Sequence, residues 1–179
     1  MRAARKPRHQ RVLTPILVVL GSIVVFAYGT VALISQDPLW FLTRVDLPDA
    51  KRIVIRVDGE ETVLMPGSDG YAEILAATRS ALTGFKNWAP GSMGLSPSTQ
   101  EEYQTKGTIL ELYFAEPIDF HLPFNEGNPT ALLMPVSGRF GGEGYVFRGR
   151  NGRWWAGQLT MSNPGPLYEA VSAVISQQD

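Results

Sequence analysis

The sequence predicts an α+β protein in which one N-terminal transmembrane helix precedes a mainly antiparallel sheet with two packed helices. Three observations predict it. An uncharged run occupies residues 12–35, a series of short β-branched segments is punctuated by turn signals, and two later segments carry helical apolar spacing. Hairpin-like strands mixed with only a few helices point to an antiparallel sheet with helices on it, rather than to alternating parallel units.

The chain has 179 residues. Residues 1–11 form a basic cytoplasmic tail with Arg2, Arg5, Lys6, Arg8 and Arg11 and no acid. Residues 12–35 (VLTPILVVLGSIVVFAYGTVALIS) carry no charge. As a helix this run reaches about 36 Å, enough to cross a hydrocarbon layer of about 30 Å with some tilt. Pro15 falls in the first turn, where its missing N–H costs little. Trp40 and Phe41 suit the interface beyond the span. The basic tail stands against a mixed flank of Asp37, Arg44, Asp46 and Asp49, which places the N-terminus in the cytoplasm and the C-terminal domain outside it. The expected location is the cell membrane, with the lipid bilayer contacted through residues 12–35. The competing reading is a signal peptide cleaved after Gly29, where Ala27-Tyr28-Gly29 offers small residues. Against it, apolar character continues through Val31-Ala32-Leu33-Ile34, beyond the usual signal core of about 7–15 residues.

Residues 36–179 hold 11 basic and 17 acidic residues, a formal charge of −6. So acidic a body argues against nucleic acid as a partner, because phosphate is bound by Lys and Arg. The sequence has no Cys, which removes disulfides, thiol catalysis and Cys-ligated metals.

Residues 36–50 (QDPLWFLTRVDLPDA) read as a juxtamembrane stem, and 51–179 as the extracytoplasmic domain. Segments 51–57 and 61–65 flank Asp58-Gly59 as a hairpin. Pro66-Gly67 ends it, and Ser68 or Asp69 caps a helix running to Leu82, with Tyr71, Ile74, Leu75, Thr78 and Leu82 on one face. Residues 85–100 read as a long loop, with one short helix from Ser98 or Thr99 through Glu102. Strands are expected at 108–115, 117–122, 131–136 and 144–149, then a last strand at 153–160 after the Asn151-Gly152 turn. Pro166 opens a terminal helix with Leu167, Val171, Val174 and Ile175 on its apolar face. The order strand, turn, strand, Gly-bearing loop, helix occurs at 51–82 and again about 93 residues later, with Arg56 and Arg148, and Tyr71 and Tyr168, in similar places. This is a candidate ββα pseudo-repeat.

No motif carries catalysis. A Ser-His-acid triad would need His121, a lone His on the polar side of strand 117–122 that reads as a surface residue, with Asp119 or Glu111 behind it and Ser92 in a loop. Neither Pro66–Gly70 nor Pro90–Gly94 fits a nucleophile elbow, because Pro replaces the first Gly. No ligand spacing suggests a metal, and no cofactor motif is present; Gly138–Gly144 is Gly-dense but joins two strands without a phosphate-loop ending. Glu111, Glu116, Asp119 and Glu143 are the raw material for a carboxylate hydrolase, as in any acidic protein. The conspicuous surface candidate is the hairpin with Arg148, Arg150, Arg153, Trp154 and Trp155, since guanidinium beside aromatic is favoured at protein interfaces. Strand alternation sends the two Trp side chains to opposite faces, so at most one belongs to the core. Loop 85–97 with Trp88 and Met93 is the second candidate. The sequence therefore points to a non-catalytic, membrane-anchored interaction or accessory module with a protein partner in the membrane or envelope. The alternatives are an anchored sensor of a small ligand or envelope polymer, and a carboxylate-based envelope hydrolase.

Overall fold

A computed structural model describes residues 10–42, 45–87 and 91–177. The elements run α1 (Gln10–Ser35), a 3-10 turn (Trp40–Leu42), β1 (Val45–Asp46), β2 (Ala50–Val57), β3 (Glu60–Leu64), α2 (Tyr71–Ala81), α3 (Pro97–Tyr103), β4 (Thr108–Phe114) and β5 (Asp119–Phe120). They continue with β6 (Ala131–Pro135), β7 (Tyr145–Arg150), β8 (Arg153–Trp154), β9 (Leu159–Thr160) and α4 (Gly165–Ser176). The expected class holds: an α+β fold with an N-terminal apolar helix and an antiparallel sheet.

The main sheet has the order β3-β2-β4-β6-β7-β8, with β9 also on β7. Its centre is long and apolar because β2, β4 and β6 are buried on both faces, as a central strand requires. One face presents Ile53, Ile55, Leu110, Leu112, Leu132, Met134 and Val146 to the helices. Against it lie Tyr71, Ile74 and Leu75 of α2 and Leu167, Val171 and Val174 of α4, the positions that helical spacing had singled out. Each such side chain, fully buried, contributes about 1.5–3 kcal/mol. The two helices also pack on each other. Gly70, at φ 78° before α2, lets them close: a Cβ there would lie 2.7 Å from Val174 Cγ2. The opposite face is roofed more thinly, with Leu95 and Tyr103 packed on Ile109, Leu133 and Phe147.

Leu13–Ser35 is one helix long and apolar enough to cross a membrane, and none of its most apolar stretch is buried against the other described residues. At its end the chain turns back on itself. Tyr28 donates a hydrogen bond to the Pro38 carbonyl at 2.8 Å, and the Tyr28, Trp40 and Phe41 rings cluster with centroids 6.2–6.4 Å apart.

Three expectations need correction. Segment 117–122 contributes only β5, which pairs with β1 of the stem and stays outside the main sheet. The last strand is broken: Gly149↔Trp154 and Val146↔Leu159 differ in register by two residues, and Gly157 at φ 94° lies in the interruption. The ββα repeat is not shown, since the second unit lacks a continuous second strand. Arg56 and Arg148 also lie on opposite faces of the sheet, paired with Ile109 and Leu132 respectively.

Candidate functional site

The site grows from the way β5 is placed. Ile118, Phe120 and Leu122 point into the core, which sends His121 outward as alternation demands. Outward is not solvent here. The stem and the end of α1 cover that side, so His121 is only 9% exposed, and the surface reading of it is overturned. Its Nδ1 lies 2.7 Å from Asp37 Oδ2, and its Nε2 lies 3.2 Å from Asp46 Oδ2. Asp37 follows the last residue of α1 by two positions, and its other oxygen accepts the Leu39 N–H at 2.7 Å. The carboxylate thus lies just beyond the end of α1 and contacts the sheet domain at once.

A cavity of about 280 Å³ opens beside this contact, lined among others by Ser35, Asp37, Asp119, His121, Asn125 and Glu126. Asp46 and Asp119 sit directly opposite each other in the β1–β5 pair, an arrangement of like charges that disfavours the pairing unless a cation stands near. Burial pulls the His121 pKa down, but the hydrogen bonds to Asp37 and Asp46 and their charges outweigh it, so the value is raised above 6.5. Glu126 behaves in the complementary way. Burial pushes its carboxyl up to about 7, with the Arg148 charge only partly opposing the shift. One Glu126 carboxylate oxygen and the Arg148 Nε are both buried without a hydrogen-bond partner among the described residues. The imidazole has both nitrogens committed, so it has no free lone pair to offer a substrate as a general base.

Comparison with family models, curated proteins and solved structures finds no match.

The residues singled out on the Trp/Arg hairpin do not form one patch. Arg148 is 4% exposed on the helix-covered face, where it donates to the Gly157 carbonyl at 3.0 Å and the Glu126 carbonyl at 3.4 Å. Burial lowers its pKa, and the Glu126 charge works the other way. It is an interior residue, not a surface one. Arg150 and Arg153 are exposed and face each other across the turn. The Trp154 ring lies over Gly149, where a Cβ would come within 2.5 Å of Cε3, and it packs on the Leu133–Phe147 cluster. Trp155 lies against Gly127 instead. Each Trp is half-buried. Trp88 lies outside the described residues. The described parts of loop 85–97 are stitched to residues 157–161. Lys86 N–H donates to the Thr160 carbonyl, Gly91 N–H to the Gln158 carbonyl and Gly157 N–H to the Met93 carbonyl.

A second charged cluster escaped the sequence reading. Arg56 and Glu111 are each 6% exposed and pair at 3.2 Å; Arg56 also reaches Glu61 at 2.6 Å, and the Tyr113 hydroxyl donates to Glu111 at 2.5 Å. Burial would lower the Arg56 pKa, but the Glu61 and Glu111 contacts raise it. Glu111 is thereby held in a structural network. A usable signal was present, because a Glu in the middle of the apolar run ILELYF needs a buried cation.

Proposed function

We propose that this chain is a single-pass membrane protein whose α+β domain stands outside the cytoplasm and serves as a non-catalytic interaction or accessory module of a membrane or envelope complex. The observation that carries the reading is the Leu13–Ser35 helix, whose most apolar stretch is left uncovered by the other described residues. A bilayer is the cover that fits its length. The Tyr28–Trp40–Phe41 cluster then sits where interfacial aromatics belong, and the basic residues before the helix favour an inside N-terminus. The contact between Asp37 and His121 suits an accessory role, because it holds the domain at a set attitude to its anchor. The exposed Arg150 and Arg153 with half-buried Trp155 remain the side chains offered to a protein partner.

Crosslinking in native membranes followed by mass spectrometry tests the reading. A reproducible membrane or envelope partner supports it. A shortened, soluble product carrying a C-terminal tag would replace the anchor with a cleaved signal. The anchored-sensor reading is kept alive by the junction cavity of about 280 Å³. It gains if small polar ligands raise the unfolding temperature and Asn125→Leu abolishes that rise.

A further inference from the structure

We propose that the Trp40–Leu42 turn is a second membrane foot, folded back along α1 so that Leu39, Phe41 and Leu42 enter the leaflet in which α1 ends. The inference rests on the membrane-spanning reading of α1 and adds to it where the domain stands relative to the lipid. Its ground is the path of the chain after the helix. Gln36, at φ 59°, turns the backbone round, and the next residues run back beside α1. The Pro38 carbonyl accepts the Tyr28 hydroxyl at 2.8 Å, and the Trp40 and Phe41 rings lie 6.4 Å and 6.2 Å from the Tyr28 ring. Tyr28 precedes Ser35 by seven residues, about 10 Å of helix. Helical side chains also lean toward the N-terminus, so this ring draws the turn away from the end of α1.

The exposure pattern of α1 indicates which medium surrounds this level. Val31, Ala32 and Ser35 share the Tyr28 face by helical spacing and are half-buried or buried. Leu33 and Ile34, on other faces of the same turns, remain 81% and 62% exposed. If the hydrocarbon stopped at Tyr28, both would stand in water. The run from Leu13 to Tyr28, about 24 Å of helix, would also fall short of a layer of about 30 Å. With lipid carried up to Ile34, the turn beside Tyr28 lies beneath the lipid surface. The exposed Leu39, Phe41 and Leu42 then meet acyl chains instead of water.

The backbone of the turn is prepared for that medium. Lipid offers no partner to an open N–H or carbonyl, so such groups must be satisfied within the protein. Pro38 has no N–H, and its carbonyl is taken by Tyr28. The Leu39 N–H donates to Asp37 Oδ1 at 2.7 Å, and the Leu39 carbonyl accepts the Leu42 N–H at 2.8 Å. Asp37 is itself paired with His121, and the Trp40 indole N–H is covered and not offered to water. Val45 opens β1 three residues after Leu42, a reach of no more than about 10 Å. The residues after α1 are therefore a foot that sets the domain on the lipid, not a stalk that lifts it clear.

The absence of Cys from the sequence allows one spin label at a time. The full chain in lipid nanodiscs is labelled in turn at Leu20→Cys, Leu33→Cys, Phe41→Cys and Glu60→Cys. Collision with oxygen, which concentrates in lipid, is compared with collision with a water-soluble nickel chelate. Leu20 in the middle of α1 is the lipid reference; Glu60, exposed at the end of β2 remote from the stem, is the water reference. The Phe41 label should read at least as deep as the Leu33 label, although it lies eight residues further along the chain. Nickel collisions there should be several-fold rarer than at Glu60. Phe41→Asp with Leu42→Asp should bring a label at Leu39→Cys into the nickel-accessible range, and a Leu39 label equally deep in that variant overturns the foot. A Phe41 label as open to nickel as Glu60, with Leu20 still in lipid, overturns the foot and leaves the spanning helix standing. A Phe41 label shielded from both probes means that protein, a second copy of the chain included, covers the turn, and this also overturns it. A Leu20 label open to nickel overturns the spanning reading, and the foot with it.

Discussion

The Arg56–Glu111–Glu61 cluster and the His121–Asp37–Asp46 cluster both place a basic side chain between two carboxylates, yet they are built for different constancy. Arg56 cannot lose its proton in any ordinary pH range, and its partners raise its pKa further. The Tyr113 hydroxyl donates to the second oxygen of Glu111, so each carboxylate oxygen has a donor. The junction cluster uses an imidazole in place of a guanidinium, and beside it lies a carboxyl held near neutrality. The first cluster locks β2 to β4 within the sheet. The second joins the sheet domain to the residues that follow α1, beside a cavity. The difference teaches that a buried pair can act as a fixed rivet or as a conditional one, according to which cation it uses.

The comparison can be broken at four places. The largest effect belongs to Glu111→Ala, which leaves Arg56 buried with only the half-exposed Glu61; it should cost about 3 kcal/mol in denaturant unfolding. That loss should be nearly equal at about pH 6 and pH 8, because the guanidinium it strands stays charged at both. Next comes the wild-type chain itself. The raised His121 pKa contributes stability that is full below its unfolded value of 6.5 and is lost as pH rises through the folded value. Glu126 has the same sign, with its contribution full below 4.5 and lost as pH rises through about 7. Unfolding free energy should therefore fall from mildly acidic to mildly alkaline pH, and His121→Gln should flatten much of the slope. A slope of the opposite sign would mean that other carboxylates dominate.

Glu126→Gln should be neutral in acid and stabilising above neutrality, by on the order of 1 kcal/mol once solvent screening is allowed for. Thermal unfolding at the two ends of the range checks it. The smallest effects fall on the hairpin. Arg150→Ala and Arg153→Ala should move stability by no more than about 0.5 kcal/mol, since both are exposed. Under the proposed function, Trp155→Ala should lower the yield of crosslinked partner, and Arg150→Ala should alter mainly its salt dependence. Unchanged yield in both would remove the hairpin from the docking surface.

The elements that proved legible are those whose pattern closes within a few residues. The 51–57 and 61–65 hairpin turned on Asp58-Gly59, and the helix with Tyr71, Ile74, Leu75 and Thr78 on one face stands as spaced. Segment 117–122 shows where this stops. Its inward and outward sides were readable from alternation, but nothing in FHL says that the stem covers the outward side. The hairpin failed in the same way. Arg148 and Arg150 are two residues apart and share a strand face, yet the first lies under Phe124 and beside Glu126 while the second is in solvent. The two-residue slip between β8 and β9 falls where residues 157–160 hydrogen-bond to Lys86, Gly91 and Met93, a tertiary contact that composition does not reveal.

By itself the sequence determined the apolar helix and its flanking charge, the turn-bounded strands and the apolar faces of both packed helices. Each depends on covalent neighbours and on a periodicity of two or of about three and a half residues. The tertiary structure alone decided which charges meet. Arg56 and Glu111 are 55 residues apart and His121 and Asp37 are 84 apart. At those separations the partners are chosen by strand register and by the docking of the stem on β5. Burial then strengthens each contact and makes His121 a link between the end of α1 and the sheet domain.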